Sequence, residues 1–253
     1  MKPLIVANWK CNPITQKEAE QLFNSVAKES QKIKNVETVI CPPFVFLLGL
    51  KLGLKPGFNR ISRGAQDCFW EEKGAFTGEV SAQMLKDIGC KYVIAGHSER
   101  RKYFSETNET VNKKLKAVLD AGLNPIFCVG ETKEERETGK IETVIKNQIT
   151  EGLKDISSAK FDELVVAYEP VWAIGTGNPC SVEEAQKMRL FILKVISEIY
   201  SRNISGETRI LYGGSANSLN SEGYIKEAGF SGLLVGGASL NAEEFVKIIK
   251  SAI

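Results

Sequence analysis

The chain carries one histidine, His97, which follows an apolar run, Tyr92-Val93-Ile94-Ala95, and opens onto Ser98, Glu99, Arg100 and Arg101. A carboxylate, Glu169, stands in the same relation to Val165-Val166-Ala167 and precedes Pro170. An imidazole can donate a hydrogen bond to a carbonyl oxygen while a carboxylate takes the proton from the adjacent carbon, so these two residue types together suit proton transfer next to a carbonyl. A third run, Leu4-Ile5-Val6-Ala7, ends in Asn8-Trp9-Lys10. Lys10 offers a cation and Asn8 a second donor, and the period-two alternation of an extended strand points both to one side. Gly213-Gly214-Ser215 and Gly236-Gly237 follow two further apolar runs. Without side chains, such glycines let the oxygens of a phosphate approach backbone N–H groups.

Each residue also has an ordinary reading. Lone histidines bridge backbone groups, carboxylates begin loops, lysines are solvated and glycine pairs mark turns. The chemical reading is favoured because every one of these groups stands where an apolar run gives out. If the runs are parallel strands of one barrel, their carboxyl-terminal ends meet on a single face.

The runs recur at residues 4–7, 38–41, 60–65, 92–95, 125–129, 164–167, 209–211 and 233–235. Between them lie stretches of helical periodicity. Residues 17–32 place Ala19, Leu22, Phe23, Val26 and Ala27 on one stripe, and residues 181–200 follow Pro179 and a capping Ser181. Strands alternating with helices about every 30 residues indicate βαβ units and a parallel sheet. The runs are almost wholly apolar, as in a sheet covered on both faces, and Arg63 is an exception to that pattern. No linker, charge block or low-complexity segment divides the chain, and Asn59 and residues 157–160 read as ordinary connections. The expected fold class is therefore α/β: a single domain over residues 1–253, closed as a (β/α)8 barrel of parallel strands. The competing doubly wound sheet would carry a glycine-rich nucleotide loop after an early strand, where this chain has Ala7-Asn8-Trp9-Lys10.

Composition narrows the partners. With 43% hydrophobic and 25% charged residues the chain suits a globular core, and a formal charge of +2 argues against nucleic acid or an anionic membrane. The six cysteines are scattered, with no C-x-x-C pair or Cys/His cluster, so reduced thiols are expected and no metal centre. A signal-peptide core and a stretch of about 18 apolar residues are both lacking, which points to the cytoplasm.

Five strings, taken together and in order, carry a resemblance. Asn8-Trp9-Lys10, the stretch from Gly96 to Arg101, the stretch from Tyr168 to Gly177, Tyr212-Gly213-Gly214-Ser215 and Leu234-Val235-Gly236-Gly237-Ala238-Ser239 resemble the triosephosphate isomerase family, and the match spans the whole chain. The resemblance implies a TIM barrel and an aldose–ketose isomerase of glycolysis and gluconeogenesis. Its substrates would be glyceraldehyde 3-phosphate and dihydroxyacetone phosphate, interconverted through an enediolate without metal or organic cofactor. The roles are taken over from the family: Glu169 is the general base, neutral His97 the electrophile, and Lys10 and Asn8 catalytic and substrate-binding.

The same resemblance assigns substrate binding to Gly175, Ser215, Gly236 and Gly237. Ile174 and Leu234 would form an apolar cover over Glu169, Glu99 would support Lys10 and His97, and Glu131 and Arg100 would stand behind the contact residues. A lid from Pro170 to about Cys180 would close over the substrate and dock on Tyr212 and Ser215. Asn178-Pro179-Cys180 departs from the small hinge residues of the family, and proline restricts both its own φ and the residue before it. The long connection from Gln66 to Val80 implies a homodimer, with Thr77 steadying Asn8 and Lys10 across the interface. Cys11 and Pro13, close to that contact, also depart from the family pattern. Two other readings compete: a barrel acting on a larger phosphoribosyl compound, and a barrel retained as an interaction protein. The lid sequence suits a short substrate, and the second alternative predicts loss of Asn8, Lys10, His97 or Glu169, all of which are present.

Overall fold

Eight parallel strands pair in chain order and close on themselves: β1 (Leu4–Asn8), β2 (Glu37–Cys41), β3 (Ile61–Ala65), β4 (Cys90–Ala95), β5 (Asn124–Val129), β6 (Val165–Tyr168), β7 (Arg209–Tyr212) and β8 (Gly232–Val235). This is a computed structural model, and it describes residues 1–50 and 61–253. Closure comes from β1 and β8, which pair from Leu4 with Gly232 to Ala7 with Val235. Every strand expected from the sequence is present. Arg60, taken as the start of the third, and Asn59, taken as a connection, lie outside the described residues.

The continuous apolar character of the strands follows from two cores that share them. Alternate residues such as Leu4, Val6, Val39, Ile94, Ile126, Val165 and Leu211 fill the barrel interior. Those between them, including Ile5, Ile40, Phe127, Val166 and Ile210, pack outward against the helices. A strand with no polar face is what a wall buried on both sides requires. Arg63 escapes this constraint because the pairing register shifts between Arg63 and Gly64, and its Nη1 donates to the Leu47 carbonyl at 3.0 Å.

Among the described residues the helices are α1 (Gln16–Ser30), α2 (Phe44–Leu47), α3 (Ala82–Asp87), α4 (Ser98–Phe104), α5 (Asn108–Asp120), α6 (Lys133–Glu137), α7 (Ile141–Gly152), α8 (Val182–Ile199), α9 (Arg202–Glu207) and α10 (Ala242–Ser251). Thr15 and Glu18 form a reciprocal capping box that starts α1 one residue before the sequence reading, and the helix ends two residues earlier than expected. Ser181 caps α8 as expected, accepting from the Glu184 N–H at 3.2 Å. The connection at 157–160 runs into a short helical turn, Ser158–Glu163. No helix among the described residues is long and apolar enough to cross a membrane.

The long connection 66–80 is an ordered projection and not a slack excursion. Its base is closed by Phe69 N–H donating to the Val80 carbonyl at 2.8 Å, and the Phe69 ring packs on Trp70 and Phe76 at 4.2 and 4.7 Å. Its foot is held by a buried ion network. Lys114 contacts Asp67 at 2.6 Å and also Glu106, while Arg100 of α4 reaches Asp67 at 2.9 Å and Glu106 at 2.6 Å. Burial works against both carboxylates. It wins for Asp67, pushed up to about 6, whereas Lys114 and Arg100 outweigh it at Glu106 and hold that group below its usual range. Arg100 thus ties α4 to the projection and stands away from the cavity described below. Replacing Lys114 by Met leaves two buried carboxylates facing one arginine, and removal of one partner from such a cluster costs about 3–5 kcal/mol. A denaturation midpoint well below the parent's is expected for Lys114→Met; an unshifted midpoint would contradict the network's role.

Candidate active site

The carboxyl-terminal ends of the strands surround a cavity of about 270 Å³ lined by Asn8, Lys10, His97, Glu169, Ile174 and Gly175, together with residues 213–217, Leu234 and residues 236–238. All four residues expected to carry chemistry are brought together there. So are Gly175, Ser215, Gly236 and Gly237, expected at the phosphate, and the two apolar covers, Ile174 and Leu234. Tyr212, Glu99 and Thr77 do not line it.

Lys10 reaches the cavity by a route other than the one read from alternation. The strand ends at Asn8, whose side-chain oxygen accepts the Lys10 N–H at 3.0 Å, and Lys10 itself has φ of +54°, in the left-handed region. Buried Trp9 anchors this tight turn. A non-glycine residue held at such a φ carries strain of order 1–3 kcal/mol, which the surrounding contacts must offset. Two of them are hydrogen bonds from Gln66 Nε2, at 2.8 Å each, to the carbonyls of Lys10 and Cys41. Lys10 Nζ then meets Glu99 Oε1 at 2.6 Å, the support expected of Glu99.

His97 is the capping residue of α4. Its Nδ1 accepts the Glu99 N–H at 3.2 Å, so that nitrogen bears no proton and the proton of a neutral ring sits on Nε2. Nε2 lies 3.1 Å from Glu169 Oε1. Glu169 follows β6, is 2% exposed, and is fixed by its own N–H to the Val129 carbonyl at 2.8 Å. Its Oε2 accepts the Ser98 N–H at 2.9 Å, while Oε1 is buried and meets no hydrogen-bond geometry among the described residues. An imidazole N–H and a carboxylate oxygen with an unused lone pair therefore share one water-poor spot. The nearby Cys128 is no rival nucleophile, because burial and then the Glu169 charge hold its thiol well above the usual range.

The glycines have a second reason to be there. A side chain at Gly213 would press on Glu169 Cγ at 3.0 Å, and one at Gly214 would meet the Tyr212 hydroxyl at 2.4 Å. Two supports were not recognised in the sequence. Gly130 lies so close to Glu169 that a Cβ would fall 1.7 Å from the Glu169 carbonyl oxygen. Gln148 of α7 holds that glycine by accepting its N–H at 2.8 Å and donating to its carbonyl at 3.0 Å. A glycine directly after the fifth strand and a glutamine on the inner stripe of a helix were the available signals.

Glu131 does not reach the cavity. It is fully buried, accepts from Trp172 Nε1 at 2.8 Å and from the Tyr168 hydroxyl at 3.2 Å, and its carbonyl accepts the Val171 N–H at 3.1 Å. Burial pushes its carboxyl above the usual range, and it serves to moor the start of the segment 170–180. Arg136 lies over the Trp172 ring at 4.5 Å and pairs with Glu184 beyond the segment's far end. Between these moorings residues 175–179 are exposed, and Gly175 and Gly177 have positive φ. Tyr212 is buried beneath, stacked on Tyr224 at 3.7 Å, and its hydroxyl meets no hydrogen-bond partner among the described residues. Thr77 is exposed on its projection. Among the described residues no group of three or more His, Cys, Asp or Glu is placed to hold a metal ion.

Comparison with known proteins agrees with this arrangement. The family model for triosephosphate isomerase matches residues 3–252. A triosephosphate isomerase of Dictyoglomus thermophilum is 48% identical over 250 residues, covering 99% of each chain. One of Alkaliphilus oremlandii is 50% identical over 248 residues, 98% of each, and one of Aquifex aeolicus is 46% identical over 251 residues, 99% of this chain and 100% of the other. With the barrel, the cavity and these end-to-end matches in agreement, the chain belongs to the triosephosphate isomerase family.

Proposed function

We propose that the chain interconverts glyceraldehyde 3-phosphate and dihydroxyacetone phosphate through an enediolate, with Glu169 carrying the proton between carbons and His97 donating to the oxygens. The observation that carries this reading is the 3.1 Å approach of His97 Nε2 to the unoccupied Glu169 Oε1 inside a cavity that also holds Lys10 and Asn8. A carboxylate is a weak base toward carbon until water is excluded and the carbon is placed against it. Glu169 must therefore leave the Ser98 N–H and turn toward the substrate as the lid closes, with Ile174 and Leu234 as the apolar cover. The oxyanion that develops is met by donors already in place, the His97 Nε2–H, Lys10 Nζ and Asn8. Gly175, Ser215, Gly236 and Gly237 hold the phosphate, and Glu99 keeps Lys10 extended toward it.

The chain acts as one domain over residues 1–253, in the cytoplasm, and as a homodimer. Support for the dimer comes from exposed Val45 on α2, Leu48 at its end, Phe76 on the projection and Met84 on α3, where α2 and α3 share one core cluster. In that assembly Thr77 of one copy steadies Asn8 and Lys10 of the other. A coupled assay after chelator treatment tests the activity: triose phosphates should be turned over at an undiminished rate, and larger phosphoribosyl compounds should not. Activity that disappears with metal removal, or is confined to the larger phosphate, would overturn the proposal.

A further inference from the structure

The segment 170–180 is moored differently at its two ends. At its start the moorings are the Glu131 contacts with Val171 and Trp172. At its far end the exposed residues 175–179 give way to Cys180, which is 2% exposed, and the Cys180 carbonyl accepts a 2.5 Å hydrogen bond from the Tyr224 hydroxyl. Tyr224 belongs to a helical turn, Gly223–Glu227, between β7 and β8 and is 1% exposed. Its ring stacks on Tyr212 with 3.7 Å between centroids and 15° between planes. Tyr212 ends β7 and leads directly into residues 213–215 of the cavity. One phenol thus touches both the carbonyl that ends the exposed stretch 175–179 and the residue that precedes the glycine pair. Past Cys180 the chain is committed to α8 by the Ser181 cap, so bending at this end falls on Asn178 and Pro179.

We infer that Tyr224 is a positioning residue for the reaction: by holding the Cys180 carbonyl it fixes the pivot on which the lid closes, in register with residues 213–215 of the phosphate subsite. The inference rests on the proposed isomerase reaction with a closing lid. A pinned pivot limits the open conformers that closure must give up, whereas a frayed one adds their ordering to every closing event. Binding of the phosphate drives closure, so the effect is confined to substrates that carry one.

Tyr224→Phe keeps the ring and its stack and removes only the hydroxyl. The full chain and this variant are assayed with glyceraldehyde 3-phosphate and with glyceraldehyde, which has the reacting carbons but no phosphate and isomerises to dihydroxyacetone, and the lid is probed by limited proteolysis. The expected result is a fall of about tenfold in kcat/KM for the phosphorylated substrate, the scale of one hydrogen bond. Turnover of unphosphorylated glyceraldehyde should be unchanged, and cleavage within residues 170–180 should be faster. Equal losses on both substrates, as from a general loosening of the fold, or no change on either, would overturn the inference. A parent chain inactive on both substrates would remove the proposed reaction itself, a distinct outcome.

Discussion

Glu169→Gln is expected to lower kcat by about 10³- to 10⁴-fold, near the upper end of what a positioned general base contributes. The amide is the same shape and its oxygen still accepts the Ser98 N–H that Oε2 accepts at 2.9 Å; its NH₂ then takes the Oε1 position, 3.1 Å from His97 Nε2, so the backbone is retained while the imidazole shifts from the facing donor. What is lost is the ability to take a proton at the position of Oε1, the buried oxygen left without a hydrogen bond among the described residues. KM should change far less than kcat, because the side chain works on the transition state and not on the bound substrate. Steady-state kinetics together with a denaturation curve separate this from misfolding. A folded variant that keeps most of its kcat would remove Glu169 from the reaction.

Lys10→Met ranks second in expected effect. Methionine retains the apolar stem, so cavity shape changes little, but one donor to the developing oxyanion is gone. Loss of one such donor costs about 10²- to 10³-fold in rate. Here the change also strands Glu99, whose 2.6 Å partner is removed, and takes away the positive charge that offsets Glu99 beside the cavity. The loss should therefore appear in both kcat and KM, and binding of a phosphorylated hydroxamate should weaken in parallel. The backbone strain at Lys10 remains in the variant, because methionine at φ of +54° is no more comfortable than lysine. A variant that binds the hydroxamate as tightly as the parent would contradict the place given to Lys10.

Much of this site is legible in the sequence because the fold imposes a simple rule. Walls buried on both sides must be continuous apolar runs, and polar groups that interrupt them at the carboxyl end share one face. His97 and Glu169 stand out on that rule alone. Lys10 was singled out for a reason that does not hold, since its direction comes from an Asn8-capped turn and a left-handed φ that no local pattern announces. Gly213 and Gly214 read as places for an anion, yet the structure also needs them for clearance around Glu169 and Tyr212. Long-range partners are the least legible. Nothing near Arg63 indicates the Leu47 carbonyl, and Lys114 on an amphipathic helix reads as solvated until Asp67 and Glu106 are seen beside it. Gly130 and Gln148 escape notice for the same reason, because their importance lies in the Glu169 backbone, 39 residues beyond Gly130 and 21 beyond Gln148 in sequence.

The most direct test of proton transfer between Glu169 and carbon is to run the isomerisation in D₂O and read the isotope at the carbon that receives hydrogen. A carboxylate that removes and returns a proton exchanges it with solvent while it holds it, so product formed from unlabelled dihydroxyacetone phosphate should carry deuterium at C2. Full turnover with no solvent deuterium at that carbon, the signature of a direct hydride shift, would contradict the assignment.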